Sequence, residues 1–307
     1  MEHDWAWLNG RWIPAQQLAL PVWDAGLIYA ATVTDLCRTI GHRLFRWHVH
    51  LQRFFTSAEL CDIPIFYSAE ELTQIAEELV RRQTALLAPL EDLALVLVAT
   101  PGSVPQYQPI ATSRESPDAS PSEPTLALHT FRLPLARYAR LWHQGFHLVS
   151  VPLAVPDSAL PRRAKHRSRL HWWRAQRHVE RLHPGATALL CDADGSLLET
   201  SFANLVLVVG DTLISSDPNR VLPGISVQVV AELVNTLGYS FHYRIIQPDD
   251  VHQATEAFLT SSSFCLLPIR QIDDRTFPCP GPVTQQLLAA WSELVSFDLL
   301  AQLNAFR

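Results

Sequence analysis

The chain has 307 residues, 48% hydrophobic and 18% charged, which is enough to bury one large core or two ordinary ones without metal or disulfide staples. Its formal net charge of −6 argues against a general nucleic-acid binder, which carries a basic excess. The five cysteines (Cys37, Cys61, Cys191, Cys265 and Cys279) are scattered, odd in number and never spaced Cys-x-x-Cys, so neither a disulfide framework nor a metal site is expected.

The opening residues, Met1 to Trp5, are acidic and lack an apolar signal core, and no apolar run reaches membrane-spanning length. The expectation is a cytoplasmic protein with no membrane and no nucleic-acid partner. Residues 5–13 read as two short strands around an Asn9-Gly10 hairpin turn. An extended segment covers 41–47. A helical pattern follows over 48–60, with Leu51, Phe54, Phe55 and Ala58 on one side. Residues 68–88 predict an amphipathic helix opened by Ser68, with Leu72, Ile75, Ala76, Leu79 and Val80 at helical spacing. A buried strand covers 93–99, and the proline-rich stretch 101–124 predicts a long loop. A strand at 126–131 leads into a polar and aromatic connector, 133–142. The domain boundary is placed in it: a smaller N-terminal α/β domain over 1–133, a connector at 134–138, and a larger C-terminal domain over 139–307.

The second half predicts a strand at 146–151, a basic helix at 165–182, and strands at 187–192, 203–209 and 212–215, with an Asp194-Gly195 turn between the first two. A helix over 224–237, a strand over 257–261 and a helix over 283–303 complete the pattern. Strands and helices mix without strict alternation, which fits an α+β class.

Four features carry chemistry. Of the 24 Lys and Arg residues, Lys165 is the only lysine. Arginine can replace lysine wherever positive charge suffices, but a guanidinium never deprotonates and cannot attack a carbonyl. A lone surviving lysine among arginines therefore points to amine chemistry, or else sits by chance on a basic helix that docks an acidic partner. Glu199 lies between apolar segments and needs a partner, either a protonated pyridine nitrogen or an arginine. Val221-Leu222-Pro223-Gly224-Ile225-Ser226 opens a helix whose free N–H groups suit a phosphate, or is an ordinary helix start. Thr260-Ser261-Ser262-Ser263 ends a strand with hydroxyls that suit a phosphate, or is a solvated turn.

Together and in this order these features resemble the class IV pyridoxal-phosphate (PLP) aminotransferases, the family of branched-chain aminotransferases, D-amino acid aminotransferases and aminodeoxychorismate lyases. Leu8-Asn9-Gly10, Asp24 to Tyr29, Gly41, Phe45, His50-Leu51, Arg53 and Ser57-Ala58 resemble the family's opening and first long helix. The resemblance runs from Leu8 to about Ile269. It implies the two-domain class IV (D-amino acid aminotransferase-like) fold, pyridoxal 5'-phosphate as cofactor, amino acid and keto acid substrates, and a homodimer. Residue by residue, it implies that Lys165 carries the cofactor as a Schiff base and acts as base, and that Glu199 meets the pyridine nitrogen. Asn204 completes a Glu-x-Ser-x-x-Asn-like pattern. Arg53, Gly224, Ile225, Ser226, Thr260 and Ser261 hold the phosphate.

The departures fall on the substrate side. The family's Gly-x-x-Val-Phe-Glu-like stretch is here Ala30 to Arg38, with Thr34 in place of an aromatic. Thr100-Pro101-Gly102 stands where an arginine often clamps a carboxylate, and Leu170 where branched-chain enzymes often have tyrosine. Tyr29, Thr34 and Arg38 are the substrate-side candidates. The expected reaction is transamination of a branched-chain-like or D-amino acid. The alternatives are an aminodeoxychorismate lyase-like enzyme that releases pyruvate and a non-enzymatic protein that binds an acidic partner through its basic helix.

Overall fold

A computed structural model of the chain describes residues 4–109, 123–152 and 161–307. The proline-rich stretch expected as a loop lies largely outside them, at 110–122. The chain divides into two compact units, Met1–Leu133 with Ala164–Ser168, and Pro134–Arg163 with Arg169–Arg307.

The first unit is built on an antiparallel sheet. Its strands are β1 (Trp5–Leu8), β2 (Arg11–Pro14), β3 (Val33–Ile40), β4 (Arg43–Leu44), β5 (Leu93–Thr100) and β6 (Thr125–Arg132), in the order β2-β1-β6-β5-β3-β4. A short helix, α1 (Ala25–Ile28), precedes β3 and is capped by Asp24, whose side chain accepts from the Gly26 N–H. Two longer helices, α2 (Trp47–Leu60) and α3 (Ala69–Thr84), place Leu51, Phe54, Leu72 and Leu79 in one core with Leu95 and Leu97 of β5. Ser68 opens α3 through a reciprocal capping box with Glu71.

Strand β3 has no counterpart in the sequence pattern. Seven of its eight residues are buried, so the alternation that marks a half-exposed strand is missing. The extended segment expected over 41–47 reduces to the two residues of β4. Gly41 and His42 take left-handed backbone (φ 55° and 66°) to turn the chain.

The second unit carries helices α4 (Leu135–Gln144), α5 (Leu170–Leu182), α6 (Ile225–Val234), α7 (Pro248–Gln253), α8 (Pro282–Val295) and α9 (Leu299–Ala305). Its strands are β7 (Phe146–Pro152), β8 (Thr187–Cys191), β9 (Leu197–Thr200), β10 (Asn204–Val209), β11 (Thr212–Ser216), β12 (Ser240–Arg244), β13 (Glu256–Ser261), β14 (Cys265–Ile272) and β15 (Arg275–Thr276). The sheet runs β12-β11-β10-β13-β14-β7-β8-β9, and β9 pairs again with β10, so six strands close into a ring. That closure consists of one residue pair, Asn204 opposite Glu199.

Several expectations are corrected here. Residues 135–138, within the expected connector, form the first turn of α4, where Tyr138, Ala139 and Trp142 bury one face of a full helix. The basic helix begins at Leu170, not Lys165. Residues 165–167 instead run extended beside β3, with the Thr34 N–H donating to the Lys165 carbonyl (2.9 Å) and the Arg167 N–H to the Thr32 carbonyl (2.9 Å). The C-terminal helix breaks at Ser296, which is left-handed at φ 50°, into α8 and α9. Strands β12 and β14 and helix α7 had no expectation. Among the described residues, no helix is long and apolar enough to cross a membrane.

Candidate active site

In the first unit, Lys165 is fixed by its backbone on both sides. Its carbonyl accepts from Thr34 of β3, and its N–H donates to the Ser57 hydroxyl (3.0 Å), which α2 presents fully buried. One and two turns earlier on α2 stand Arg53 and His50. Both converge on Asp35 of β3, which is fully buried. Arg53 donates from Nε and Nη2 to the two Asp35 oxygens, each at 2.8 Å, and His50 Nδ1 lies 2.7 Å from Asp35 Oδ1. Burial works to raise the Asp35 pKa, but the Arg53 charge and the His50 and Arg53 hydrogen bonds overcome it and hold the carboxyl far below its usual range. An ionised carboxylate only accepts, so His50 must carry its proton on Nδ1. Burial lowers the His50 pKa, and the nearby charges of Arg53 and Lys165 push the same way against Asp35. His50 is therefore a neutral imidazole.

The three substrate-side candidates also lie in this unit. Tyr29 is exposed at the end of α1. Thr34 is buried, and its hydroxyl donates to the Leu97 carbonyl (2.7 Å). Arg38 is buried at 4% exposure and is held by Asp92 (3.4 Å) and the Thr39 carbonyl (2.8 Å). Arg38 is thus part of the hub around Asp92, which also accepts from the Thr39 hydroxyl and the His42 N–H.

In the second unit, register creates a row across three adjacent strands. Asn204 of β10 lies opposite Glu199 of β9 on one side and Thr260 of β13 on the other. Directly paired residues share a face of a sheet, so the three side chains stand together. Glu199 Oε2 accepts from Asn204 Nδ2 (3.1 Å), and Oε1 accepts from the Leu222 N–H (3.1 Å). The same Asn204 amide also donates to the Leu222 carbonyl (3.0 Å). Three residues past this turn-forming leucine, α6 starts at Ile225 with Gly224 as its N-cap and no side-chain cap, so its first N–H groups keep their donor capacity. Ile225 and Ser226 are buried there. Thr260 is 1% exposed, and its Oγ1 has no hydrogen-bond partner among the described residues. Ser261 faces Ser263, with 3.3 Å between hydroxyls.

A buried hydroxyl with no partner and an uncapped helix start are a donor set suited to a phosphate. A carboxylate in the same strand row suits a protonated ring nitrogen. The residues present therefore fit pyridoxal phosphate, with Glu199 toward the ring nitrogen, and Gly224 to Ser226 with Thr260 toward the phosphate. Among the described residues no His, Cys, Asp and Glu cluster could hold a metal ion.

Sequence reasoning singled out Lys165, Glu199, Asn204 and the 222–226 turn, but gave no role to Asp35, His50 or Ser57. The His-x-x-Arg spacing on α2 was the available signal. What it lacked was the strand that brings Asp35 alongside.

Fold and site together define a PLP-type transferase, and the amino-transferase class IV family description matches residues 32–272. The chain belongs to that family. Among its relatives, the branched-chain-amino-acid aminotransferase of Salmonella typhimurium is 23% identical over 94% of this chain and 92% of its own length. The probable branched-chain-amino-acid aminotransferase of Rickettsia felis is 24% identical over 87% and 86%. Among solved structures, the Escherichia coli branched-chain amino acid aminotransferase superposes with a TM-score of 0.82 at 21% identity, covering 95% of this chain and 94% of that one. A hypothetical aminotransferase from Mycobacterium tuberculosis in its PLP-bound form gives 0.81 at 21% identity, over 95% and 99%.

Proposed function

We propose that this chain moves an amino group from a branched-chain-type amino acid to a 2-keto acid, with Lys165 as the residue that carries pyridoxal phosphate and transfers the proton. The observation that supports this most directly is the strand row Glu199–Asn204–Thr260, which ends in a buried hydroxyl with no hydrogen-bond partner among the described residues. Membership of class IV supports the aminotransferase chemistry, and the branched-chain names of the relatives support the donor.

Bound pyridoxal phosphate supplies a ring that accepts the electron pair left when the amino acid loses its α-proton. Glu199 keeps a proton on the ring nitrogen. Lys165 Nζ takes the α-proton as general base and returns it as general acid. The Ser57 and Thr34 bonds to its backbone fix where that amine starts from. Ile225, Ser226, Thr260 and Ser261 anchor the phosphate, and Arg53, oriented by Asp35, adds positive charge to that anchoring.

We further propose a homodimer, in which a second copy would cover large apolar side chains of the first unit that are more than half exposed, among them Val22, Leu27, Tyr29 and Tyr107.

The test is a panel of L- and D-amino acid donors against several keto acids, with a separate assay for pyruvate release. Transfer from L-leucine, L-isoleucine or L-valine without elimination is expected. Borohydride reduction of the coloured protein should add the cofactor mass at Lys165. Protein that stays colourless with added pyridoxal phosphate, or that releases pyruvate in place of transfer, overturns the reading.

A further inference from the structure

We infer that Asn204 is a positioning residue: it sets the separation between Glu199 and the 222–226 turn and holds neither the ring nor the phosphate itself. The inference rests on the cofactor reading above. Both hydrogens of its amide are spent, one on Glu199 Oε2 (3.1 Å) and one on the Leu222 carbonyl (3.0 Å). The amide can only face this way, because both partners are acceptors and the opposite orientation would set oxygen against oxygen. Leu222 closes the cycle by giving its own N–H to Glu199 Oε1 (3.1 Å). Three residues from three places in the chain thus share three hydrogen bonds.

The remaining amide atom, Oδ1, faces Gly224. A Cβ added at Gly224 would overlap it, so the residue before the first turn of α6 is glycine because Asn204 stands there. Asn204 is also half of the single residue pair that closes the strand ring. Although β9 is also paired with β8, the ladder ties Glu199 to β10 by one residue pair alone, and the 217–224 segment has no regular structure of its own. The Asn204 side chain therefore supplies the link that a longer ladder would otherwise give. Since Glu199 meets the ring nitrogen and the turn meets the phosphate, the two ends of one rigid molecule are gripped by groups that Asn204 holds at a fixed spacing.

The test compares wild type, Asn204→Ala, Asn204→Ser, Gly224→Ala and Asn204→Ala/Gly224→Ala, with Asn204→Ala also made in a Glu199→Ala background. Three quantities are read on each: the affinity of the cofactor-free protein for pyridoxal phosphate by fluorescence quenching, the pH profile of the visible band of the loaded protein, and the melting temperature. Asn204→Ala should bind pyridoxal phosphate about 10- to 100-fold more weakly, since one of its bonds is to a charged group, and its visible band should titrate at a shifted pH. Asn204→Ser, which keeps one donor, should retain more affinity than Asn204→Ala. In the Glu199→Ala background the same change should cost less than about threefold. Gly224→Ala should also weaken binding, and because its added Cβ meets Asn204 Oδ1, the double variant should lose less than the two single losses combined. Unaltered affinity and pH profile in Asn204→Ala, with or without a lower melting temperature, overturn the inference, as does a double variant whose loss equals the two single losses combined. If Asn204→Ala does not fold, Asn204→Ser against wild type decides the same point. A wild-type protein that takes up no pyridoxal phosphate sinks the cofactor reading instead.

Discussion

Asp35 receives donors from the Leu36 N–H, His50 and twice from Arg53, all at 2.7–2.8 Å. Removing its charge leaves Arg53 buried beside a neutral group. Asp35→Asn should therefore destabilise the protein by about 3–5 kcal/mol, the usual cost of breaking a buried pair from one side, and weaken pyridoxal phosphate binding as Arg53 loses its orientation. Urea unfolding and cofactor titration measure the two. His50 gives a pH signature. Its folded-state pKa lies below its ordinary 6.5. Below pH 6.5 the unfolded chain therefore takes up a proton that the folded chain refuses, and stability falls as pH drops, by up to about 1.4 kcal/mol per pH unit, until the folded-state pKa is reached. Unfolding free energies between pH 7.5 and 5.5 should fall in wild type and fall less steeply in His50→Gln, the remaining slope coming from His129, His147 and His171, whose pKa values burial also lowers. Lys165 was legible in the sequence because no other side chain in the chain can do amine chemistry. Asp35 was not, because nothing local marks a carboxylate as a hub until strand pairing sets it beneath a helix.

Helices show the same division between local and distant causes. Ser68 and Glu71 sit three residues apart, and α3 begins where that spacing says. Helix α8 has no side-chain cap of its own. Glu256, from β13, accepts the Val283 and Thr284 N–H groups (2.8 and 3.0 Å) and the Thr284 hydroxyl (2.9 Å) while only 3% exposed. Glu256→Ala should cost about 2–3 kcal/mol, since three donors lose a charged acceptor, read as a lower urea midpoint with unchanged cofactor affinity. Gly281→Ala should destabilise as well, because a Cβ there would overlap the Glu256 carboxyl. No sequence window holds positions 256 and 284 together, so this cap was invisible until the fold was known. The start of α5 misled for a related reason: the arginine-rich run 162–169 has helical composition, yet its backbone at 165–167 is already bonded to β3.

At the level of the whole chain, the class IV signature was readable because its chemistry-bearing residues are few and ordered. The amino donor was not readable, because the departures at Thr34, Thr100 to Gly102 and Leu170 remove familiar contacts without naming new ones. A ligand that binds only the folded chain stabilises it by mass action. Pyridoxal phosphate at about 100 times its dissociation constant should therefore add roughly 2.7 kcal/mol, seen as a raised melting temperature. Lys165→Ala should show a smaller rise at the same concentration. The strand ring has a consequence for engineering. Gly210, between β10 and β11, turns in open space, with nothing within 4 Å of where a side chain would begin. Guest loops or affinity peptides spliced in at 210–211 should leave enzyme yield intact. The same graft beside Phe202, in the tight bend where the Thr200 N–H reaches the Ala203 carbonyl (3.0 Å), would slip one strand past its neighbour and turn the Asn204 side chain to the opposite face.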